Sequence, residues 1–490
     1  MAESSHGGCV SEGIPRRQSA RESAARTYAR ALPIVPVRAR GLTIEGADGR
    51  RYLDCLSGAG ALALGHNHPV VLEAIRKVLD SGAPLHALDL ATPVEDAFVA
   101  ELLRTLPAGL ADHARVQFCG PGDTDAVAAA CKLVRAATGR TGMLAFAGAR
   151  DAMTASAFDT SEEAADALVT RLPYPQDHRC PFGVDGTRGA ELAARWTESL
   201  RDDPASDAAR PAGVIVEAVQ SEGAAIPAPD TWMRRMRQIT TARSIPLIAD
   251  EVHTGVGRTG AFWAVEHSGI TPDVMILSKA IGGSLPLAVL VYRDDLGPCE
   301  RGAPADTFRG NQLALAAGTA TLRYVREHGL AERASVLGAR MLRRLRDLSQ
   351  RLSCVGDVRG RGLMLGVELV DPEVRLWQAE AGAEAGRSGA AESAAADSCP
   401  AAPELAAAVQ RECLRRGLIV ELGGRHASVV RLLPPLTISD EQADAVLDRL
   451  SDAVEAVARG HTSHGPTCPS GHAHHRHGDR SARVGEPAGR

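Results

Sequence analysis

Short apolar runs alternate with stretches of helical periodicity between about residue 98 and residue 330. In each run the apolar side chains are consecutive, which is typical of strands buried on both faces by helices. The pattern predicts an α/β domain built on a mostly parallel sheet. The expected buried parallel strands are Val116–Cys119, Met143–Phe146, Val214–Val219, Pro246–Ala249, Val274–Leu277 and Ala288–Tyr292.

The length of 490 residues exceeds what one small core needs, so two domains with irregular extras are expected. A formal charge of only -5 gives no reason to expect nucleic acid or an anionic membrane as partner, and it favours a small-molecule substrate. The ten cysteines are scattered without a C-x-x-C pair, and no apolar run approaches a membrane span. The N-terminus also lacks an apolar signal region, so we expect reduced thiols and a cytoplasmic location.

Composition divides the chain into segments. A helix is expected at Pro69–Asp80, and the last thirty-one residues hold six of the sixteen histidines among Gly, Pro and Ser. We expect this tail to be solvated, although its histidines could alternatively bind a metal ion. No metal site is expected elsewhere in the chain. The predicted segments are a disordered leader (1–25), the N-terminal part of a small domain (26–97), a large domain (98–330), the C-terminal part of the small domain (331–459) with a flexible insertion (379–403), and a disordered tail (460–490).

Two of the predicted strands end in charged side chains. The run from Leu247 leads into Asp250 and Glu251, and Val274–Leu277 leads to Lys279. Such residues belong at the crevice where α/β sheets bind ligands. Lys279 could condense with an aldehyde while Asp250 keeps a pyridinium nitrogen protonated. Alternatively, both are solvated charges at strand ends.

The segment Gly255–Gly260 matches the G-x-G-x-x-G pattern of dinucleotide-binding turns. Such a site also requires a helix that begins at once and an acidic residue at the end of the next strand. Phe262 and Trp263 follow instead, so the match is not expected to mark a dinucleotide site.

The strand that reaches Gly120 leads through Pro121, Gly122, Asp123 and Thr124 into a helix. A glycine turn before a helix N-terminus can bind phosphate, because unpaired amides and the helix dipole point toward the anion. Alternatively, Asp123 caps the helix and uses an amide that the phosphate would need.

At these residues the chain resembles the class III aminotransferases, and within them the diaminobutyrate–2-oxoglutarate transaminases. The resemblance extends from about residue 30 to 458 and is most specific around Lys279. It implies the pyridoxal-phosphate-dependent fold type I, with a large α/β domain, a small α+β domain from both chain ends, and a homodimer with shared active sites. The matching segments are 52–69, 172–183, 214–229, 246–293, 307–322, 359–372 and 423–438.

The resemblance also implies roles for single residues. Lys279 would form the Schiff base with pyridoxal 5'-phosphate and move protons, and Asp250 would pair with its pyridine nitrogen. Thr307 would bind the phosphate of the neighbouring subunit. Arg431 would grip the substrate carboxylate, as a guanidinium fork can; alternatively it is a surface charge. Glu222 would pair with Arg431 when the distal amine of the amino donor must react, and would release Arg431 for 2-oxoglutarate.

The implied reaction moves the 4-amino group of L-2,4-diaminobutyrate to the cofactor and then to 2-oxoglutarate. It releases aspartate 4-semialdehyde and glutamate, and the family runs it toward diaminobutyrate.

The chain departs from the family mainly at cofactor contacts. Gly122 and Asp123 stand where relatives have Ser and Gly. The run Ala149-Arg150-Asp151 stands where they have a Tyr-His-Gly whose aromatic ring lies over the pyridine. His253 replaces a glutamine that contacts the phenolic oxygen, and Ser221 replaces a glycine. Together with Thr124, Asp250, Lys279 and Thr307, the residues at 122, 123, 150 and 253 form the predicted cofactor site.

Three functions are therefore considered. The leading hypothesis is a working aminotransferase with altered cofactor contacts. The second is a weak or inactive homologue that acts as a partner subunit or ligand-binding protein, and the third is a pyridoxal-phosphate enzyme of another reaction type.

Overall fold

The computed structural model describes residues 32–149, 169–184, 186–199, 210–297, 307–374 and 399–462. The predicted leader, most of the predicted insertion and nearly all of the His-rich tail lie outside these residues, as does Arg150. Within them, no helix is both long enough and apolar enough to cross a membrane.

A seven-stranded sheet forms the centre of the molecule, in the order β4-β12-β11-β10-β7-β5-β6. Strands β5, β7, β10 and β11 are buried along their whole length, as expected for strands covered on both faces. The strands are β4 (Ala114–Phe118), β5 (Met143–Phe146), β6 (Val169–Leu172), β7 (Gly213–Val216), β10 (Leu247–Asp250), β11 (Val274–Leu277) and β12 (Val289–Arg293).

One predicted strand direction is wrong. Strand β12 runs antiparallel to both of its neighbours, β11 and β4, whereas the other four pairings are parallel. The segment between Leu277 and Val289 holds only a 3-10 turn at Lys279–Gly282, and this is too short for the crossover that parallel strands need. The apolar run at 288–292 correctly indicated burial, but burial does not determine direction. The prediction of a mostly parallel sheet is confirmed.

Two smaller sheets complete the architecture. In the first, β15 pairs in parallel with β3, so segments from both ends of the chain share one sheet. The second has the order β13-β14-β17-β16. The domain boundaries proposed from composition stay predictions. The strands are β1 (Pro36–Arg40), β2 (Thr43–Gly46), β3 (Arg51–Asp54), β13 (Val355–Arg361), β14 (Met364–Leu369), β15 (Leu418–Ile419), β16 (Glu421–Gly423) and β17 (Val429–Leu432), with a separate pair β8 (Val219–Gln220) and β9 (Ile226–Pro227).

Helices cover the sheets. The first, α1, has the predicted bounds, with a proline at its start, where the missing N–H costs nothing. Helix α4 packs against β11, β12 and β7, so its N-terminus lies beside the large sheet. The helices are α1 (Pro69–Asp80), α2 (Pro93–Leu103), α3 (Ala108–Ala111), α4 (Asp123–Thr138), α5 (Gly186–Ser199), α6 (Asp230–Ala242), α7 (Gln312–Glu327), α8 (Leu330–Arg351), α9 (Pro403–Arg415) and α10 (Asp440–Thr462).

The segment Gly255–Gly260 forms consecutive turns and no helix begins in it. A Cβ at Gly255 would lie 2.6 Å from the Trp263 ring, and one at Gly260 would lie 2.9 Å from the Ser335 Cβ. These glycines therefore serve close packing, which agrees with the expectation that the segment is not a dinucleotide turn.

Candidate active site

Asp250 and Lys279 follow neighbouring parallel strands of the large sheet. Asp250 lies opposite Ile276, three residues before Lys279. The Asp250 side chain is buried, and its Oδ1 accepts the Val252 amide at 2.9 Å. Since the carboxyl ends of parallel strands meet at one edge, both residues lie at the ligand-binding edge of the sheet. The burial of Asp250 does not agree with a solvated charge at a strand end.

A turn from the N-terminal segment places a carbonyl beside the lysine. Lys279 Nζ donates a hydrogen bond to the Ala59 carbonyl at 3.2 Å. Ala59 lies in a run of four residues, 57 to 60, that all have positive φ. The Asp54 carboxylate supports this turn by accepting the Ser57 amide at 3.0 Å. Lys279 itself has a φ of +54°, a conformation that is uncommon for non-glycine residues and is enriched at active sites.

The His253 ring lies between the lysine and a serine. Its Nε2 is hydrogen-bonded to Lys279 Nζ, and its Nδ1 is hydrogen-bonded to the Ser221 hydroxyl. Ser221 is 1% exposed. Two of the positions that depart from the family pattern are therefore in direct contact with each other, which the sequence did not predict.

Arg431 lies on β17 and is 5% exposed, so it is not the surface charge considered as an alternative. Its Nη1 donates to the Ser221 carbonyl at 2.7 Å, and its Nη2 forms an ion pair with Glu421. Glu421 lies directly opposite Arg431 on β16. This partner was missed because the pairing depends on strand register rather than on a motif.

Glu222 adjoins Ser221, and its backbone carbonyl accepts the Gly424 amide at 3.0 Å. Its predicted pairing with Arg431 stays a prediction, since Arg431 is paired with Glu421 in the described structure. Glu222 and Ala149 line a cavity of about 1260 Å³. Among the described residues, the lining includes Gln220, Glu222 and Gly223 but not Ser221, Lys279 or Arg431, so the cavity adjoins the segment of Ser221 without reaching these side chains.

A buried ion-pair cluster forms part of the wall of this cavity. Glu368 on β14 accepts hydrogen bonds from Arg179 Nε and Arg359 Nη1, both at 2.7 Å. Burial would raise the pKa of Glu368, but His178 and the two arginines outweigh it and hold that pKa far below its usual value. The cluster therefore keeps a fixed negative charge between cationic side chains at the cavity wall.

The glycine turn before α4 has the predicted form, but a different acid caps the helix. The N-cap is Gly122, and its amide donates to the Asp125 carboxylate at 3.0 Å. Asp123 is the first helical residue and Thr124 the second. Two carboxylates in the first turn of α4 interact favourably with the helix dipole and stabilise the helix, but they repel an incoming phosphate.

Thr307 is exposed and begins a 3-10 turn, Thr307–Gly310. The Gly310 carbonyl accepts the Ala87 amide at 3.2 Å, and the Gln312 amide donates to the Leu85 carbonyl at 3.0 Å. In the described part of the chain, Thr307 forms no hydrogen bond with Lys279, His253 or Arg431. Its predicted role toward a neighbouring subunit stays a prediction, as does that of Arg150.

The residues at this edge fit pyridoxal phosphate in their donor chemistry. A lysine amine suits an aldehyde, a buried carboxylate suits a pyridine nitrogen, and a helix N-terminus suits a phosphate. The acids at 123 and 125 fit that phosphate poorly. No group of three or more His, Cys, Asp or Glu side chains in the described part of the chain is arranged to hold a metal ion.

Residues 24–454 match the family model of class III aminotransferases, and the chain belongs to this family. The resemblance recognised from its motifs is thereby confirmed.

Two similar relatives are both diaminobutyrate–2-oxoglutarate aminotransferases. The one from Rhizobium meliloti is 49% identical over 451 residues, which cover 90% of this chain and 92% of that protein. The one from Haemophilus influenzae is 41% identical over 449 residues, which cover 89% and 94%. Among solved structures, a pyridoxal-phosphate-bound amine transaminase from an uncultivated Pseudomonas species superposes with a TM-score of 0.74 at 26% identity, covering 89% of this chain and 98% of that one. The predicted fold type I is confirmed.

Proposed function

We propose that this chain is a pyridoxal-phosphate aminotransferase that moves the 4-amino group between L-2,4-diaminobutyrate and 2-oxoglutarate, with aspartate 4-semialdehyde and glutamate as the other pair. The observation that carries this proposal is the continuous contact from Lys279 through His253 and Ser221 to Arg431. It places an amine nucleophile and a carboxylate-binding guanidinium close together, with only one imidazole and one serine between them. The relatives from Rhizobium meliloti and Haemophilus influenzae support the choice of substrates.

Each residue has a distinct task in this proposal. The cofactor supplies an electron sink that stabilises negative charge at the reacting carbon. Lys279 holds the cofactor and carries the proton at its Nζ, and the Asp250 carboxylate keeps the pyridine nitrogen protonated. Arg431 binds the α-carboxylate of 2-oxoglutarate or glutamate, and an acidic side chain pairs with it while the distal amine of a short diamino acid reacts.

Arg431 already has a carboxylate partner, so substrate must compete for it. A buried guanidinium without a counter-charge costs several kcal/mol, and Glu421 supplies that charge in the described structure. An incoming α-carboxylate replaces or joins Glu421. Glu222, on the adjoining cavity wall, is the predicted acid that balances Arg431 at other stages.

We also propose a homodimer, with the cytoplasm as the predicted location. The turn that carries Thr307 is hydrogen-bonded to residues 85–87, and this region exposes several large apolar side chains. A second subunit would cover them and bring Thr307 to its partner's phosphate. These side chains are Leu85, Leu88, Leu90 and Phe308.

The purified chain with pyridoxal phosphate tests the proposal. We expect a visible absorption band that L-2,4-diaminobutyrate removes and 2-oxoglutarate restores. Lys279→Ala should lose the band and all turnover while staying folded, and Arg431→Ala should weaken both half-reactions by about 2–5 kcal/mol.

Turnover that persists in Lys279→Ala would refute the assignment. A band that an ordinary α-amino acid removes, while diaminobutyrate does not, would refute the substrate. No band at saturating cofactor would favour an inactive homologue, which the two carboxylates at the phosphate turn would explain.

A further inference from the structure

The Ser221 backbone is fixed on three sides. Its amide donates to the Glu217 carboxylate at 3.0 Å, and its carbonyl accepts Arg431 Nη1 at 2.7 Å and the Ala224 amide at 2.8 Å. The side chain is buried, so the hydroxyl has a set position beside His253. Loss of the hydroxyl would leave all three backbone contacts in place.

Arg431 determines how this hydroxyl is oriented. Its Nη1 lies 3.5 Å from Ser221 Oγ, and a guanidinium can only donate hydrogen bonds. The positive charge therefore turns the oxygen lone pairs toward Arg431 and the proton away from it. The partner on the other side is His253 Nδ1, which must then accept.

A neutral imidazole that accepts at Nδ1 carries its proton on Nε2. Nε2 contacts Lys279 Nζ, so this proton points at the amine. Only a neutral amine has a lone pair to accept it, because an ammonium group has none. The amine in turn donates to the Ala59 carbonyl.

We propose that Ser221 and His253 are positioning residues that form a one-way hydrogen-bond chain from Arg431 to Lys279, and that this chain holds the lysine as the neutral amine needed to capture an aldehyde. No proton is transferred along the chain. The inference rests on the proposed function of Lys279, yet it concerns the cofactor-free chain and can be tested without turnover.

The other charged groups nearby are on elements that the test leaves unchanged. They are Asp250 at the end of β10, Glu217 at the Ser221 amide, Glu222 next to Ser221, Glu421 beside Arg431, and the Asp54–His66 pair next to the turn that carries Ala59. A difference in Lys279 reactivity between the native chain and a Ser221 variant therefore measures the effect of the Ser221 hydroxyl.

The sequence offers a convenient assay because it contains only three lysines, Lys77, Lys132 and Lys279. Lys77 and Lys132 are exposed and serve as internal standards. The full-length, cofactor-free chain is labelled with trace acetic anhydride across a pH series. Mass spectrometry then gives the reactivity of Lys279 relative to these two lysines.

Ser221→Ala should lower the relative reactivity of Lys279 near neutral pH by about five- to tenfold, since one hydrogen bond contributes about 1 kcal/mol. It should also move the midpoint of the profile to higher pH. His253→Leu should do the same. His253→Gln should retain the native profile, because a carboxamide can accept from Ser221 and donate to Lys279.

Ser268→Ala is the matched control. Ser268 is also buried, and its hydroxyl donates to the Val265 carbonyl instead. Nitrogen NMR of the native chain labelled at histidine should show the His253 proton on Nε2. An unchanged profile in Ser221→Ala and His253→Leu, or a proton on Nδ1, would overturn the proposal. A native chain that forms no visible band with cofactor would instead count against the proposed function.

Discussion

A buried acid beside the predicted catalytic carboxylate makes the stability of this protein depend on pH. Glu251 directly follows Asp250 and is 2% exposed. Its carboxyl oxygens accept the Val265 amide at 3.0 Å and the Thr254 hydroxyl. Burial outweighs these hydrogen bonds and raises the pKa of Glu251 from 4.5 to about 7.

This shift determines the sign of the effect. Below pH 4.5 the carboxyl is protonated in both the folded and the unfolded chain, and burial then costs little. As the pH rises above 4.5 the unfolded chain loses the proton first, so the free energy of unfolding falls until the folded protein also ionises near pH 7. At about 1.4 kcal/mol per pKa unit, the loss is about 3 kcal/mol.

Glu251→Gln tests this, because a carboxamide keeps one acceptor and one donor and has no charge to bury. Urea unfolding at fixed cofactor concentration, followed by circular dichroism from pH 4.5 to 8, gives the free energy of unfolding. Relative to Glu251→Gln, the native chain should lose about 3 kcal/mol over this range. Glu73→Gln, an exposed control on α1, should follow the native curve. Parallel curves for the native chain and Glu251→Gln would refute the reasoning.

Two further predictions concern the cavity wall and the phosphate turn. Glu368→Gln should lower the free energy of unfolding by about 1.5–3 kcal/mol, because Arg179 and Arg359 lose a charged acceptor while Asp357 still pairs with Arg359; urea unfolding measures this, and a loss below 1 kcal/mol would contradict it. Gly122→Ser with Asp123→Gly should tighten cofactor binding by up to about a thousandfold, since a carboxylate about 4 Å from a phosphate costs roughly 4 kcal/mol. Asp123→Gly alone is the control, because a Cβ at residue 122 would lie 3.1 Å from Asp125 Oδ2. Unchanged affinity in a cofactor titration of both variants would show that Asp123 points elsewhere.

The elements that could be predicted from the sequence are those whose local pattern is sufficient. Met143–Phe146, Val274–Leu277 and Pro69–Asp80 have the predicted bounds, because an apolar run or a proline start fixes each one. Strand β6, Val169–Leu172, was not predicted because an arginine and a threonine interrupt its apolar residues. The direction of β12 depends on a short connection rather than on composition.

Part of the site could be predicted from the sequence, and the contacts that could not be predicted depend on backbone conformation and strand register. Asp250 and Lys279 could be placed together because strand ends meet at one edge of a sheet. The contacts of Ala59 and Glu421 could not, since they depend on a run of positive φ angles and on the register of β16 with β17. Neither feature is marked by a recognisable motif in the sequence.

The departures from the family pattern do not act independently. A hydroxyl introduced at residue 221 would be buried, and without an acceptor it would cost about 1–3 kcal/mol. His253 supplies that acceptor at Nδ1, and the same ring contacts Lys279 through Nε2. The serine and the histidine therefore satisfy each other, so they indicate an adjusted site rather than one in decay. At the phosphate turn, by contrast, Asp125 caps the helix and Asp123 adds a second negative charge. If the function has weakened in this chain, the loss will therefore come from binding the phosphate and not from the chemistry at Lys279.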